Sequence, residues 1–267
     1  MWDALSLPFM QRALVAGFLV GALASYFGVF IIQRRLSFMG NGLAHAAFGG
    51  VALGVLLGVT PLWAALPFTV AAAVGITWVR DKTELGGDTV VGIFFALTMA
   101  LGIIFLALKR DYAVEAHTFL FGSILAVTNT DLLITSLLCC LTLAIWPIWR
   151  RWAYATFDRE LALTDRIQVS RDDYWLSILV ALTVVVCVKM VGVVLIAAFL
   201  VIPAATARLL ARTFFQMTWL SVALGSSSAV AGLLLSYELD LPSGAVIVLL
   251  QSALFFGAFC VRKFFNS

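Results

Sequence analysis

The chain has 267 residues, of which 63% are hydrophobic and only 12% charged, with a mean hydropathy of +1.07. A soluble domain carries about 25% charged residues, so composition excludes that class and points to an all-α integral membrane protein. The net charge of +3 is too small to mark a nucleic-acid binder, so no nucleic acid is expected as a partner and the basic residues inform by position.

An apolar helix of about 20 residues crosses the hydrocarbon core. Runs of that kind fall at 8–32, 38–58, 61–79, 89–108, 131–149, 174–190, 191–207, 215–236 and 243–261. The first continues too far to be a signal-peptide core and reads as a retained span. The pair 174–207 is unbroken apart from Lys189 and Gly192, so it is two short spans or one span plus a half-helix. The expectation is a polytopic bundle of eight to nine transmembrane helices, in one domain over 1–267. Cys139, Cys140, Cys187 and Cys260 lie in apolar stretches without CxxC spacing and read as small hydrophobes.

Two connections stand out. Residues 109–130, KRDYAVEAHTFLFGSILAVTNT, are semi-polar at the front and apolar at the back. A half-helix or re-entrant element fits, if protein covers its backbone. Residues 150–173 form the longest polar stretch and contain the amphipathic piece FDRELAL. That piece is a solvated loop or a docking helix for a soluble partner.

Thirteen of the seventeen basic residues fall in alternate connections, at Arg34–Arg35, Arg80–Lys82, 150–171, Arg208–Arg212 and Arg262–Lys263. Cytoplasmic loops carry the excess of Lys and Arg. This places the N-terminus outside and the C-terminus in the cytosol of a cytoplasmic (inner) membrane protein. Lys189 lies by a span end, where it can snorkel outward.

The second run holds the chemistry. Gly42, Ala46, Gly50, Gly54 and Gly58 recur every four residues, and small residues at that spacing admit a neighbouring helix. Beside them lies a second stripe, Asn41, His45 and Gly49, on one helix face. A polar side chain within a span faces a cavity or the bundle interior. His45 is therefore an interhelical hydrogen-bonding residue or part of a pathway. Three features favour the pathway: Asn41 on the same face, glycines that leave open volume, and Glu115 and His117 toward the same outer half. Imidazole suits zinc and other first-row divalent metals. One His with one amide is a weak site, as a transit site must be if the ion is to leave. Two copies of His45 across a two-fold axis would make a better one.

Other chemistries lack their residues. The chain has no HExxH and no P-loop, so neither an intramembrane metalloprotease nor an ATPase is expected. LGGD at 85–88 has no second intramembrane aspartate, and Glu238 and Asp240 sit in a turn. Asp88 reads as a helix N-cap before Thr89.

Several stretches together resemble a known family: FIIQRRLSFMGNGLAHAAFGGVALG at 30–54, GDTVVGIFFAL at 87–97, FLFGSILAVTNTDL at 119–132, FDRELAL at 157–163, VGVVLIAAFLVIPAATARLLART at 191–213 and LSYELDLPSGAVIVL at 235–249. In order and spacing they are similar to the permease subunit of zinc- and manganese-type ABC importers, most of all the zinc-uptake branch. The resemblance implies a type II ABC importer-like permease fold and import of Zn2+, with Mn2+ or Fe2+ as fallback. The metal is cargo and no cofactor is permanently bound. It implies four partners: a second copy of the chain, ATP-binding cassette subunits that hydrolyse the nucleotide, an extracytoplasmic metal-binding protein, and membrane lipid.

Carried over by position, the resemblance puts His45 and Asn41 on the metal pathway, with Glu115 and His117 as outer ligands. The family has an acid where this chain has Asn41, and an aspartate where it has Ser123. It assigns Asp158, Glu160 and Ala162 to ATPase coupling. Pro203 and Arg208 fall in a hinge or tightly packed segment, and Gly42, Gly50, Gly54 and Gly58 in helix packing. A stand-alone secondary cation carrier, or an ABC permease for a metal chelate, is the alternative.

Overall fold

The computed structural model describes residues 7–109, 122 and 124–265. Among these residues every element is helical. The helices are α1 (Pro8–Gln33), α2 (Met39–Leu57), α3 (Pro61–Lys82), α4 (Gly87–Ala107), α5 (Asn129–Ala144), α6 (Trp146–Phe157), α7 (Arg159–Thr164), α8 (Val169–Val191), α9 (Val193–Leu210), α10 (Phe214–Leu239) and α11 (Ser243–Phe265), with a 3-10 turn at Ile124–Ala126. Seven of them, α1 to α4, α8, α10 and α11, are long and apolar enough to cross a membrane. The bent pair α5 and α6 supplies an eighth candidate, and α9 is a shorter apolar helix over Leu195–Leu210.

The boundaries follow from backbone chemistry. Pro8 and Pro61 open α1 and α3, where a missing N–H costs nothing. Gly192, at φ 91°, breaks the long run into α8 and α9. Thr128 and Asp131 form a reciprocal capping box at the start of α5, and the Thr213 hydroxyl accepts from the Gln216 N–H at 3.2 Å at the start of α10.

Two expectations change. The run at 131–149 is not one straight span: α6 turns 68° from α5 at Ile145. Pro147 has no N–H for the Leu143 carbonyl one turn back, so the helix cannot continue straight. The polar stretch at 150–173 is largely helical, taken up by the end of α6, by α7 and by the first turn of α8.

α1 runs through the middle of the bundle, with 78% of its apolar window buried against 22% for α4 and α11. It packs on α9, α10 and α5, whereas α2 packs on α3, α4, α8 and α9. α4 and α11 are therefore peripheral and turn apolar faces outward.

The α1 seam is built from small residues. A Cβ on Gly21 would stand 2.5 Å from the Gly225 carbonyl oxygen of α10, and one on Gly28 would stand 1.9 Å from the Leu200 carbonyl oxygen of α9. The Ser221 hydroxyl donates to the Ser25 carbonyl at 2.9 Å across the same seam. Backbone cannot step aside as a side chain can, so Gly28→Ala should cost about 1–3 kcal/mol by overpacking. A lowered midpoint of thermal aggregation in detergent checks this; Gly92→Ala, with open space around it, is the control that should leave the midpoint unchanged.

Candidate functional site

His45 lies about two turns into α2 and is half-buried, as is Asn41 one turn before it. The His45 Nδ1 stands 3.0 Å from the Asn41 backbone carbonyl. A carbonyl only accepts, so Nδ1 carries a proton in that bond, and in the neutral ring the lone pair is then on Nε2. This arrangement prepares a histidine to ligate, because the bonded nitrogen fixes tautomer and ring direction for the other. Phe95 of α4 packs edge-on against the ring at 4.6 Å and 69°, and Phe38 lies 6.2 Å from Phe95. The imidazole is thus held from two sides and open on a third.

The glycines do not leave the expected open volume; neighbouring helices occupy it. A Cβ on Gly42 would meet Val91 of α4 at 2.6 Å, and one on Gly49 the Thr98 carbonyl of α4 at 2.8 Å. Gly50 and Gly54 face Ala65 and Pro61 of α3 at 2.6 and 3.0 Å. So Gly49 leaves the polar strip, which reduces to Asn41 and His45. Gly58 is not a packing residue: it is the left-handed C-cap of α2 at φ 70°, with nothing within 4 Å.

Glu115, His117 and Ser123 lie outside the described residues. Among the described residues no cluster of three or more His, Cys, Asp or Glu could hold a metal. His45 therefore stands as a single strong donor with an amide neighbour.

At the opposite end of α2 from Asn41, the Lys109 ammonium donates to the Val55 carbonyl at 2.5 Å, so the 109–130 connection begins there and not, as expected, in the same half as Asn41. Lys189 does not simply snorkel outward. Its Nζ binds Asp131 Oδ1 at 2.5 Å, joining the end of α8 to the capping box of α5. Sequence reading missed this pair, since 58 residues separate its members.

The other end of the bundle carries the helix read as a docking element. α7 is six residues long, and Asp158 caps it by accepting from the Leu161 N–H at 2.9 Å. Ala162 is fully buried beside Ala155 and Val169. Glu160, Leu161 and Leu163 face outward, the two leucines 50% and 53% exposed. Asp158 and Ala162 thus shape and seat the helix, and Glu160 is the member of the three left free to meet a partner.

α7 is anchored through Arg159, which binds Asp173 at 2.6 Å and Asp81 at 2.9 Å. Asp173 is buried and also receives Arg34 and, at 3.2 Å, Arg80. One carboxylate therefore ties the ends of α1, α3 and α8 to α7. Burial lowers the pKa of Arg34 against the pull of Asp173, whereas for Arg159 the carboxylates Asp173 and Asp81 outweigh burial and raise it. Asp88 was expected to cap its own helix. Gly86 holds that position, and Asp88 instead accepts from the Phe38 N–H at 3.2 Å, capping α2. α9 runs on through the buried Pro203, and Arg208 sits exposed in its last turn, where a cation complements the helix dipole.

Residues 6–262 match the ABC 3 transport family. The chain belongs to that family. Its relatives include the manganese transport system membrane protein MntC of Listeria innocua, 35% identical over 252 residues, covering 94% of this chain and 90% of the relative. The high-affinity zinc uptake system membrane protein ZnuB of Haemophilus influenzae is 33% identical over 244 residues, covering 91% and 94%. Among solved structures, PsaBC from Streptococcus pneumoniae, in complex with Fab, superposes with a TM-score of 0.85 at 35% identity, covering 97% of this chain and 94% of that one. An inward-facing metal-chelate type ABC transporter shares the fold at a TM-score of 0.74 and 15% identity. The expected permease family and all-helical membrane fold therefore hold.

Proposed function

We propose that this chain is the membrane subunit of an ABC importer that passes a divalent transition metal, zinc in the first reading, along the open side of His45. The observation that carries this is a half-buried imidazole whose Nδ1 is tied to its own helix while Nε2 is left as a donor. A single neutral nitrogen and an amide oxygen bind a divalent ion weakly, which suits transit. A donor set led by nitrogen favours zinc over metals that prefer carboxylate. Manganese is the second reading, favoured by the relatives named for manganese transport.

In this reading two copies bring their His45 strips together, and α4, with its exposed outer face, borders the junction. The exposed leucines of α7, with Glu160, dock on a separate ATP-binding subunit. The basic end, with Arg34, Arg80 and Arg159, is cytosolic, and a binding protein delivers the ion at the other end. Glu115 and His117 serve as entry ligands there.

The test is uptake into liposomes holding the chain with its ATPase partner. Uptake of Zn2+ that requires ATP inside supports the reading; uptake by the chain alone on a proton gradient overturns it. Asn41→Asp adds an anionic oxygen to the strip. It should tighten Mn2+ retention about tenfold, near 1.4 kcal/mol, and slow release. Equilibrium dialysis with Mn2+ reads this, and unchanged retention would remove Asn41 from the pathway.

A further inference from the structure

The side of the bundle away from His45 carries a groove of about 190 Å3 between α1, α5 and α10. Its walls are Phe18, Leu19 and Ala22 of α1, Leu143 of α5, and Trp219 and Val222 of α10. It continues along α10 as a shallower trough past Ala223 and Val230. Its rim is open: Phe18 is 52% exposed and Leu143 63% exposed. Because α2 does not border it, joining two copies through their His45 strips leaves it facing the membrane.

The groove is graded in polarity along its length. Tyr26 lies toward one end, nine-tenths buried, and no hydrogen bond reaches its hydroxyl among the described residues. Its ring sits 6.3 Å from Trp146, which closes that end. Trp146 stacks on Trp149 at 5.4 Å and meets Phe215 and Trp219 at 6.2 and 5.4 Å. Tryptophans gather where hydrocarbon gives way to headgroups. One turn beyond Trp146, on the same face of α6, stands Arg150, exposed. Arg212, also exposed, precedes the N-terminus of α10 at the same end, where the helix dipole adds positive charge. Arg151 is not part of this set, since it is paired with Asp172 at 3.0 Å.

We propose that this groove is a binding site for one anionic phospholipid. An acyl chain lies along Phe18, Leu19 and Ala22. The Tyr26 hydroxyl donates to an ester carbonyl of the glycerol. Arg150 and Arg212 meet the phosphate. The order carbon, hydroxyl, indole belt and cation is the order of groups along a phospholipid, and a basic pocket between membrane helices is suited to an anionic headgroup.

The experiment is native mass spectrometry of the purified full chain from nanodiscs holding equal phosphatidylglycerol and phosphatidylcholine. The expected result is one retained lipid per chain with phosphatidylglycerol favoured. Ala22→Phe fills the floor and Leu143→Trp narrows the mouth. Each should abolish that retained lipid, and the second alters an exposed position that folding does not need. Arg150→Gln with Arg212→Gln should keep a lipid but lower the preference for phosphatidylglycerol by about fivefold or more. The proposal is overturned by a wild-type chain that retains no lipid or shows no preference, or by retention unchanged in both groove variants. It is also overturned if Phe18→Cys forms a disulfide between two copies in the membrane, since the groove would then be an interface.

Discussion

His45→Ala should lower metal uptake by tenfold or more while leaving the folded chain intact. The ring contributes the strip's single nitrogen donor, and its loss leaves an amide oxygen beside a small methyl. The replacement removes a half-buried side chain that touches Phe95 and its own helix, so the structural cost is small next to the chemical one. Size-exclusion elution and ATPase binding should match the native chain. Uptake of Zn2+ in liposomes is the deciding measurement, and a native rate in this variant would reduce His45 to a packing residue. His45→Gln gives a finer reading. It keeps a donor at similar reach but offers oxygen in place of nitrogen, so it should spare Mn2+ uptake more than Zn2+ uptake.

Asp173→Ala should destabilise the chain by about 3 kcal/mol or more, the range for removing one partner of a buried ion pair. Asp173 is 1% exposed and meets Arg34, Arg80 and Arg159. Without it, Arg34 and Arg80 stay largely enclosed with their charge unmet. Arg159 is 47% exposed and can turn to water, so Arg159→Ala should cost much less, about 1 kcal/mol. The midpoint of thermal aggregation in detergent orders the two variants. Equal midpoints for Asp173→Ala and the native chain would show that the carboxylate holds nothing together. A second readout concerns coupling: Arg159→Ala should loosen α7 and reduce stimulation of the ATPase by metal even where stability holds.

How much of this was legible in the sequence depends on the range of the interaction. Each apolar run except 131–149 became one helix because a backbone in hydrocarbon must satisfy its own hydrogen bonds, and run length alone reveals that. The pairing of Asn41 with His45 was legible because four residues make one turn. FDRELAL was legible as a small amphipathic helix, but the capping role of Asp158 was not, since the sequence reading placed it only among the coupling residues. The bend at Ile145 was missed although Pro147 marked it, because hydropathy averaged over a window does not see one absent N–H. Asp173 was hidden differently. Its partners lie 14, 93 and 139 residues away, and no period in the chain connects them. The same holds for Lys189 and Asp131. The glycines of α2 were legible as seats for neighbouring helices, which Gly42, Gly50 and Gly54 are, but not as open volume beside His45, since what fills a gap belongs to another helix.

Those glycines carry one more consequence. Where Gly50 meets Ala65, and Gly54 meets Pro61, main chain lies against main chain with no side chain between to take up slack. The far end of α3 holds Arg80 and Asp81, which grip Asp173 and Arg159. α3 thus joins the Arg80–Asp81 end of the bundle to the helix that bears the imidazole, with Pro67 breaking its hydrogen-bond ladder between the two contacts. Ala65→Leu, at the point where a Cβ on Gly50 would stand only 2.6 Å from the α3 backbone, would therefore prise α2 from α3 and shift the helix that bears His45.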